Sequence, residues 1–170
     1  MKKLLSMVTI LSLSFFLSCG GKEDKKEEKD AMKIGTQKTE KAEDSNTVNV
    51  ALSGNDLMQY DKSEIKVKAG QEVTLTLRHI GKLDKKVMGH NFVLLKQGVN
   101  MQEFGLKASE AGETVDWIPE EGKDVIAHTK MLAGGESTSI TFTAPAAGTY
   151  DYICSFPGHV AMMKGKFIVE

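Results

Sequence analysis

The chain has 170 residues, a length that favours one domain over two. Its 22 Lys plus Arg against 23 Asp plus Glu leave a formal net charge of −1, which supplies no basic footprint for a nucleic acid. Only 41% of the residues are hydrophobic and 6% aromatic, so part of the chain is expected not to fold, and two cysteines are too few for a disulfide scaffold or a Cys₄ zinc site. Nine methionines are many for this length.

Residues 1–18 read as an export signal. Lys2 and Lys3 precede an apolar run from Leu4 to Leu17, too short for a permanent bilayer span. Phe16-Leu17-Ser18-Cys19 resembles a lipobox, which implies cleavage before Cys19 and lipidation of its thiol. Residues 19–46 mix Lys, Glu and Asp with almost no large apolar side chain. Such a segment buries too little surface to offset its chain entropy and is expected to be a flexible tether. The expected location is the periplasmic side of a bacterial cell envelope, lipid-anchored to a membrane.

From Thr47 the pattern changes to alternation with period two. Val48, Val50 and Leu52 alternate with Asn49 and Ala51; Val73, Leu75 and Leu77 alternate with Thr74, Thr76 and Arg78. The same pattern holds around Ile65 and Val67, and around Ile140 and Phe142. Half-buried strands are predicted there, with further strands at 90–95, 124–129, 149–154 and 165–169. Eight short strands over residues 47–170 predict an all-β sandwich, taken as antiparallel. Residues 100–110 predict a short helix outside the sheets, weakened by Gly105.

The chemistry lies after the strand ending at Cys154. Cys154, His159 and Met163 are spaced C-x₄-H-x₃-M around a Pro157-Gly158 turn, and His90 follows Gly89 far upstream. Two imidazoles, one thiolate and a weak thioether form the donor set of a blue-copper electron-transfer site. Thiolate and thioether favour Cu(I), imidazoles also suit Cu(II), and a site that suits both needs little rearrangement when an electron moves. A cysteine nucleophile with a histidine base would leave Met163 and the Gly89-His90 pair without a role. His79 and His128 are read as structural histidines.

Residues 47–170 resemble the azurins, bacterial blue-copper proteins with the cupredoxin fold. The resemblance rests on Ser53-Gly54-Asn55-Asp56 with Met58-Gln59, on Val87-Met88-Gly89-His90-Asn91, on Val125-Ile126-Ala127-His128-Thr129-Lys130, and on Cys154 through Gly165. It implies a Greek-key β-sandwich holding one type 1 copper ion. His90, Cys154 and His159 would be equatorial ligands, and Met163 and the Gly89 carbonyl oxygen weak axial ones. It also implies that Asn91 ties the two ligand loops together, and that the amides of Asn91 and Phe156 donate to the Cys154 sulfur. The family's disulfide positions hold Val48 and Gly70, and its core tryptophan is replaced by Phe92, while Trp117 lies elsewhere.

The function implied is single-electron transfer between redox proteins such as cytochromes or reductases, with copper storage, delivery or sensing as the alternative. Neither an enzyme activity nor a small-molecule substrate is expected. Met58, Leu83, Met88, Phe156, Pro157, Gly158, Val160 and Ala161 are expected to form an apolar docking patch around His159. With Cys19 assigned to lipid and Cys154 to copper, no disulfide is expected.

Overall fold

The alternating segments form nine strands among the residues described by the computed structural model, 46–170; the expected signal peptide, Cys19 and nearly all of the tether lie outside them. One sheet is built from β1 (Thr47–Asn55), β2 (Gln59–Tyr60), β4 (Glu72–His79) and β7 (Ser137–Thr143), in the order β2-β1-β4-β7. The other contains β3 (Glu64–Val67), β5 (Val93–Leu95), β6 (Val125–His128), β8 (Gly148–Ile153) and β9 (Lys164–Val169), in the order β3-β9-β8-β5-β6. All eight predicted strands are present, and β2 is an addition.

The expectation of a purely antiparallel sandwich is corrected. β1 runs parallel to β4, with Val48 opposite Val73 and Leu52 opposite Leu77, and β3 runs parallel to β9. The reason is topological: the chain leaves each sheet before returning, so β1 and β4 belong to one sheet while the intervening β3 belongs to the other.

The period-two pattern decides what lies between the sheets. Leu52, Val73, Leu75 and Leu77 face Ile65, Val67, Phe92, Leu94, Tyr152 and Phe167 in one buried cluster. Phe92 sits where the resemblance puts a tryptophan. It is fully buried, with its ring centroid 5.5 Å from that of Tyr152. The outer face of the second sheet is buried as well. Val93, Leu95 and Ile153 there pack with Phe104 and Ala108 of α2 (Met101–Ala111), and with Trp117, Ile118 and Val160. That is why β5 is a continuous apolar run.

The predicted helix is α2, and its N-cap is Asn100, whose side chain accepts hydrogen bonds from the Gln102 and Glu103 amides. Gly105 is tolerated because a Cβ there would lie 2.8 Å from Val160 Cγ1, so the glycine lets the helix approach the loop after Cys154. A short helix α1 (Lys85–Met88), capped by Asp84, was not predicted; it leads directly into Gly89 and His90.

Candidate metal centre

The first imidazole is set by a turn. Asn55 ends β1, and its side-chain oxygen accepts from the amides of Leu57 (2.9 Å) and Gln59 (3.2 Å), which holds Met58 in a left-handed conformation. The turn leaves the Asn55 carbonyl oxygen 2.8 Å from His90 Nε2. A carbonyl only accepts, so Nε2 carries the proton and Nδ1 carries the lone pair. His90 Nδ1 is buried with no hydrogen-bond partner. A buried polar atom without a partner is costly in a native fold unless a metal occupies its lone pair.

Gly54 makes room for this ring: a Cβ there would lie 2.9 Å from His90 Cδ2 and 3.1 Å from the Met163 methyl. On the other side, His79 stacks on His90 with centroids 4.1 Å apart. His79 Nδ1 accepts from the Gly81 amide at 3.0 Å, and Nε2 donates to the Met88 carbonyl at 2.7 Å. Both nitrogens are satisfied, so His79 is a structural neighbour of the site. His128 is exposed at the end of β6, with Nδ1 3.2 Å from the Thr129 carbonyl.

The second loop starts at the end of β8. The Cys154 amide donates to the Met163 carbonyl (2.9 Å), and the Met163 amide donates to His159 O (2.8 Å), which closes the ten-residue loop on itself. A single 3₁₀ turn at His159–Ala161 then points the imidazole inward. His159 Nδ1 comes 3.5 Å from Cys154 Sγ, and the Gly89 carbonyl oxygen lies 3.7 Å from the same sulfur. One donor atom each from His90, Cys154 and His159 lies within 4.8 Å of the other two. Met163 is fully buried beside them.

The electrostatics fit a cation. Burial pushes the Cys154 thiol up to about 12, against the pull of hydrogen bonds from the Asn91 and Phe156 amides. Burial also lowers His159 to about 4, with His90 and His79 adding repulsion, and it lowers His90. The two neutral imidazoles leave lone pairs for a metal, and the buried thiol would give up its proton on binding one.

Support for the donors comes from Asn91. Its Oδ1 accepts from the Ser155 amide at 2.9 Å and its Nδ2 donates to Ser155 Oγ at 2.8 Å, so one side chain links the two ligand loops. The Tyr60 hydroxyl donates to the Asn91 carbonyl. No sequence pattern marks Tyr60, Ser155 or the Asn55 carbonyl for these roles, although Asn55 lies in the Ser53-Gly54-Asn55-Asp56 motif. Gly89 is fixed by crowding, since a Cβ there would meet Lys85 O at 2.7 Å and Phe156 Cδ2 at 2.9 Å.

The surface around the site only partly matches the expected patch. Leu83, Pro157, Gly158 and Ala161 are exposed, and Met58, Met88 and Phe156 are half-buried. Val160 is corrected: it is buried against α2 and anchors the loop. His159 itself retains only 3% exposure. Leu57, Val87 and Met162 are exposed large apolar residues close in sequence to Met58, Met88 and Met163.

A family model for copper-binding proteins of the plastocyanin/azurin family matches residues 46–170. The chain belongs to that family. Azurin-1 of Alcaligenes xylosoxydans xylosoxydans is 49% identical over 120 residues, covering 68% of this chain and 92% of the relative. Auracyanin-A of Chloroflexus aurantiacus is 38% identical over 128 residues, covering 73% and 74%. Among solved structures, dithionite-reduced auracyanin from Roseiflexus castenholzii aligns with a TM-score of 0.65 at 36% identity, covering 72% of this chain and 96% of that one. For a member of the plastocyanin/azurin family, His90, Cys154 and His159 are arranged as one copper site, and the two-sheet architecture is the cupredoxin fold.

Proposed function

We propose that the protein is a blue-copper electron carrier of the bacterial cell envelope, tethered to a membrane through a lipidated Cys19 and exchanging single electrons with redox proteins such as cytochromes or reductases. The observation that carries the copper reading is His90 Nδ1, buried, unpartnered, and aimed at a cluster that already holds a thiol and a second imidazole. His90, Cys154 and His159 would hold copper, and Met163 and the Gly89 carbonyl would offer it weaker donors. Bound copper supplies a one-electron couple, Cu(I)/Cu(II).

Each residue has a role in keeping that couple fast. Asn55 and Asn91 fix the donors through backbone hydrogen bonds, so the site has little freedom to rearrange on a change of charge. The Asn91 and Phe156 amides take up part of the thiolate charge. Cys154 is fully buried, which keeps water from its sulfur. The donors are 0%, 0% and 3% exposed, which favours an ion that stays over one that is handed on, and so favours electron transfer over storage or delivery. Leu83, Met88, Pro157 and Ala161 form the apolar surface on which a partner docks for a short-lived encounter.

Voltammetry of the copper-loaded protein tests the carrier role: a single reversible one-electron wave is expected. Tight copper binding with no reversible wave would support storage or delivery instead. Met88→Lys should slow electron exchange with a partner protein while leaving the potential unchanged. Cys19→Ser should move the protein from the membrane fraction to the soluble one.

A further inference from the structure

The segment between α2 and β6 is more strained than a connection requires. Asp116 (φ 50, ψ 33) and Trp117 (φ 55) are consecutive non-glycine residues in the left-handed region, followed by Glu120 and Glu121. Left-handed backbone is unfavourable for residues with a Cβ, and a bulky side chain there signals that surrounding contacts over-determine it. The contacts are on both ligand loops. The Asp116 carbonyl accepts from Asn91 Nδ2 at 3.3 Å. Trp117 is buried, its ring packed on Phe156 with centroids 5.1 Å apart and planes at 52°, and the Phe156 ring in turn lies 4.6 Å from the His159 ring. Glu113 pairs with Lys85 at 3.5 Å, in the helix that leads into Gly89. The bend is locked by its own bonds, from the Trp117 amide to Gly112 O (3.0 Å) and from the Ile118 amide to Val115 O (2.9 Å).

Two residues touched by this bend, Asn91 and Phe156, are the two whose amides donate to the Cys154 sulfur. We propose that Asp116 and Trp117 form a positioning clamp that holds both amide donors on the thiolate and thereby keeps the copper potential high. Asp116 acts through Asn91, and Trp117 acts through Phe156. The direction follows from charge. An N–H aimed at the sulfur draws electron density from it and weakens its donation to Cu(II) more than to Cu(I), so a looser clamp lowers the potential. The inference rests on the copper reading for the potential, but not for the motion of the amides.

The test compares Trp117→Leu, which removes the ring contact, with Trp117→Phe, which keeps an aromatic ring. Asp116→Val disfavours the left-handed backbone, whereas Asp116→Gly keeps it along with the carbonyl. In the metal-free protein, amide hydrogen exchange should speed up by about tenfold at Phe156 in Trp117→Leu and at Asn91 in Asp116→Val, with Leu75 in the first sheet unchanged. In the copper-loaded protein, the Cu(I):Cu(II) ratio at fixed applied potential should fall about tenfold, a shift of about 59 mV for a one-electron couple. Trp117→Phe and Asp116→Gly should stay near wild type. Unchanged potential together with unchanged exchange at Phe156 in Trp117→Leu and at Asn91 in Asp116→Val would overturn the proposal, as would exchange that rises equally at Leu75. If no copper signal develops in any form, the exchange data still decide whether the clamp exists.

Discussion

His90 is defined by which of its nitrogens is occupied. The Asn55 carbonyl takes the Nε2 proton, so the Nδ1 lone pair is left for a metal, beside donor atoms of Cys154 and His159 that face the same point. Cys154 has the complementary problem. Its thiol is held at about 12, so at neutral pH copper must displace a proton to bind. His159 is held at about 4, so it brings no proton to the reaction above that value. One proton per copper should therefore be released between about pH 5 and pH 9, and apparent affinity should rise about tenfold per pH unit. Calorimetry in buffers of different ionisation enthalpy measures that proton count. A count of zero would mean that Cys154 is already a thiolate or is not a ligand.

At the scale of elements, the site is a junction between one turn, one helix and one closed loop. The ligand loop was legible because Cys154, His159 and Met163 lie within ten residues, and the strands were legible because their two-residue period matches one buried face. The parallel pairing of β1 with β4 was not legible: alternation says which face is buried but not which strand lies alongside. Val160 was misplaced for a related reason, since a short loop gives no period from which to tell an inward residue from an outward one. Gly105 was read as a weakness of α2, but it is the close contact that seats the helix on the ligand loop. Gly105→Leu should therefore destabilise the protein by ~1–3 kcal/mol despite its better helix propensity, because the added volume meets Val160. Urea unfolding measures this. Asn100→Ala should cost ~1 kcal/mol through loss of the cap alone, with the site unaltered.

For the whole molecule, the buried donors make the metal-free fold sensitive to pH from both sides. His159 binds its proton less readily when folded, at about 4 against 6.5 unfolded, so stability is lost as pH falls from 6.5 towards 4. Cys154 is shifted the other way, at about 12 against 9.0, so stability is lost again as pH rises above 9. The metal-free protein should be most stable between about pH 6.5 and 9, and the acid limb from His159 should be on the order of 2–3 kcal/mol. Bound copper holds both donors deprotonated, so the loaded protein should unfold at a higher temperature and show less loss at mildly acid pH. Thermal melts across pH, with and without copper, measure both effects.

His90, Cys154 and His159 would together hold one copper ion, bound through the cysteine sulfur. Titration of the metal-free protein with Cu(II), followed by visible absorption, tests it directly. One equivalent should produce an intense blue thiolate-to-copper band that then saturates, and Cys154→Ser should remain colourless while still folded. A colourless wild-type protein after copper uptake, or a blue Cys154→Ser variant, would contradict it.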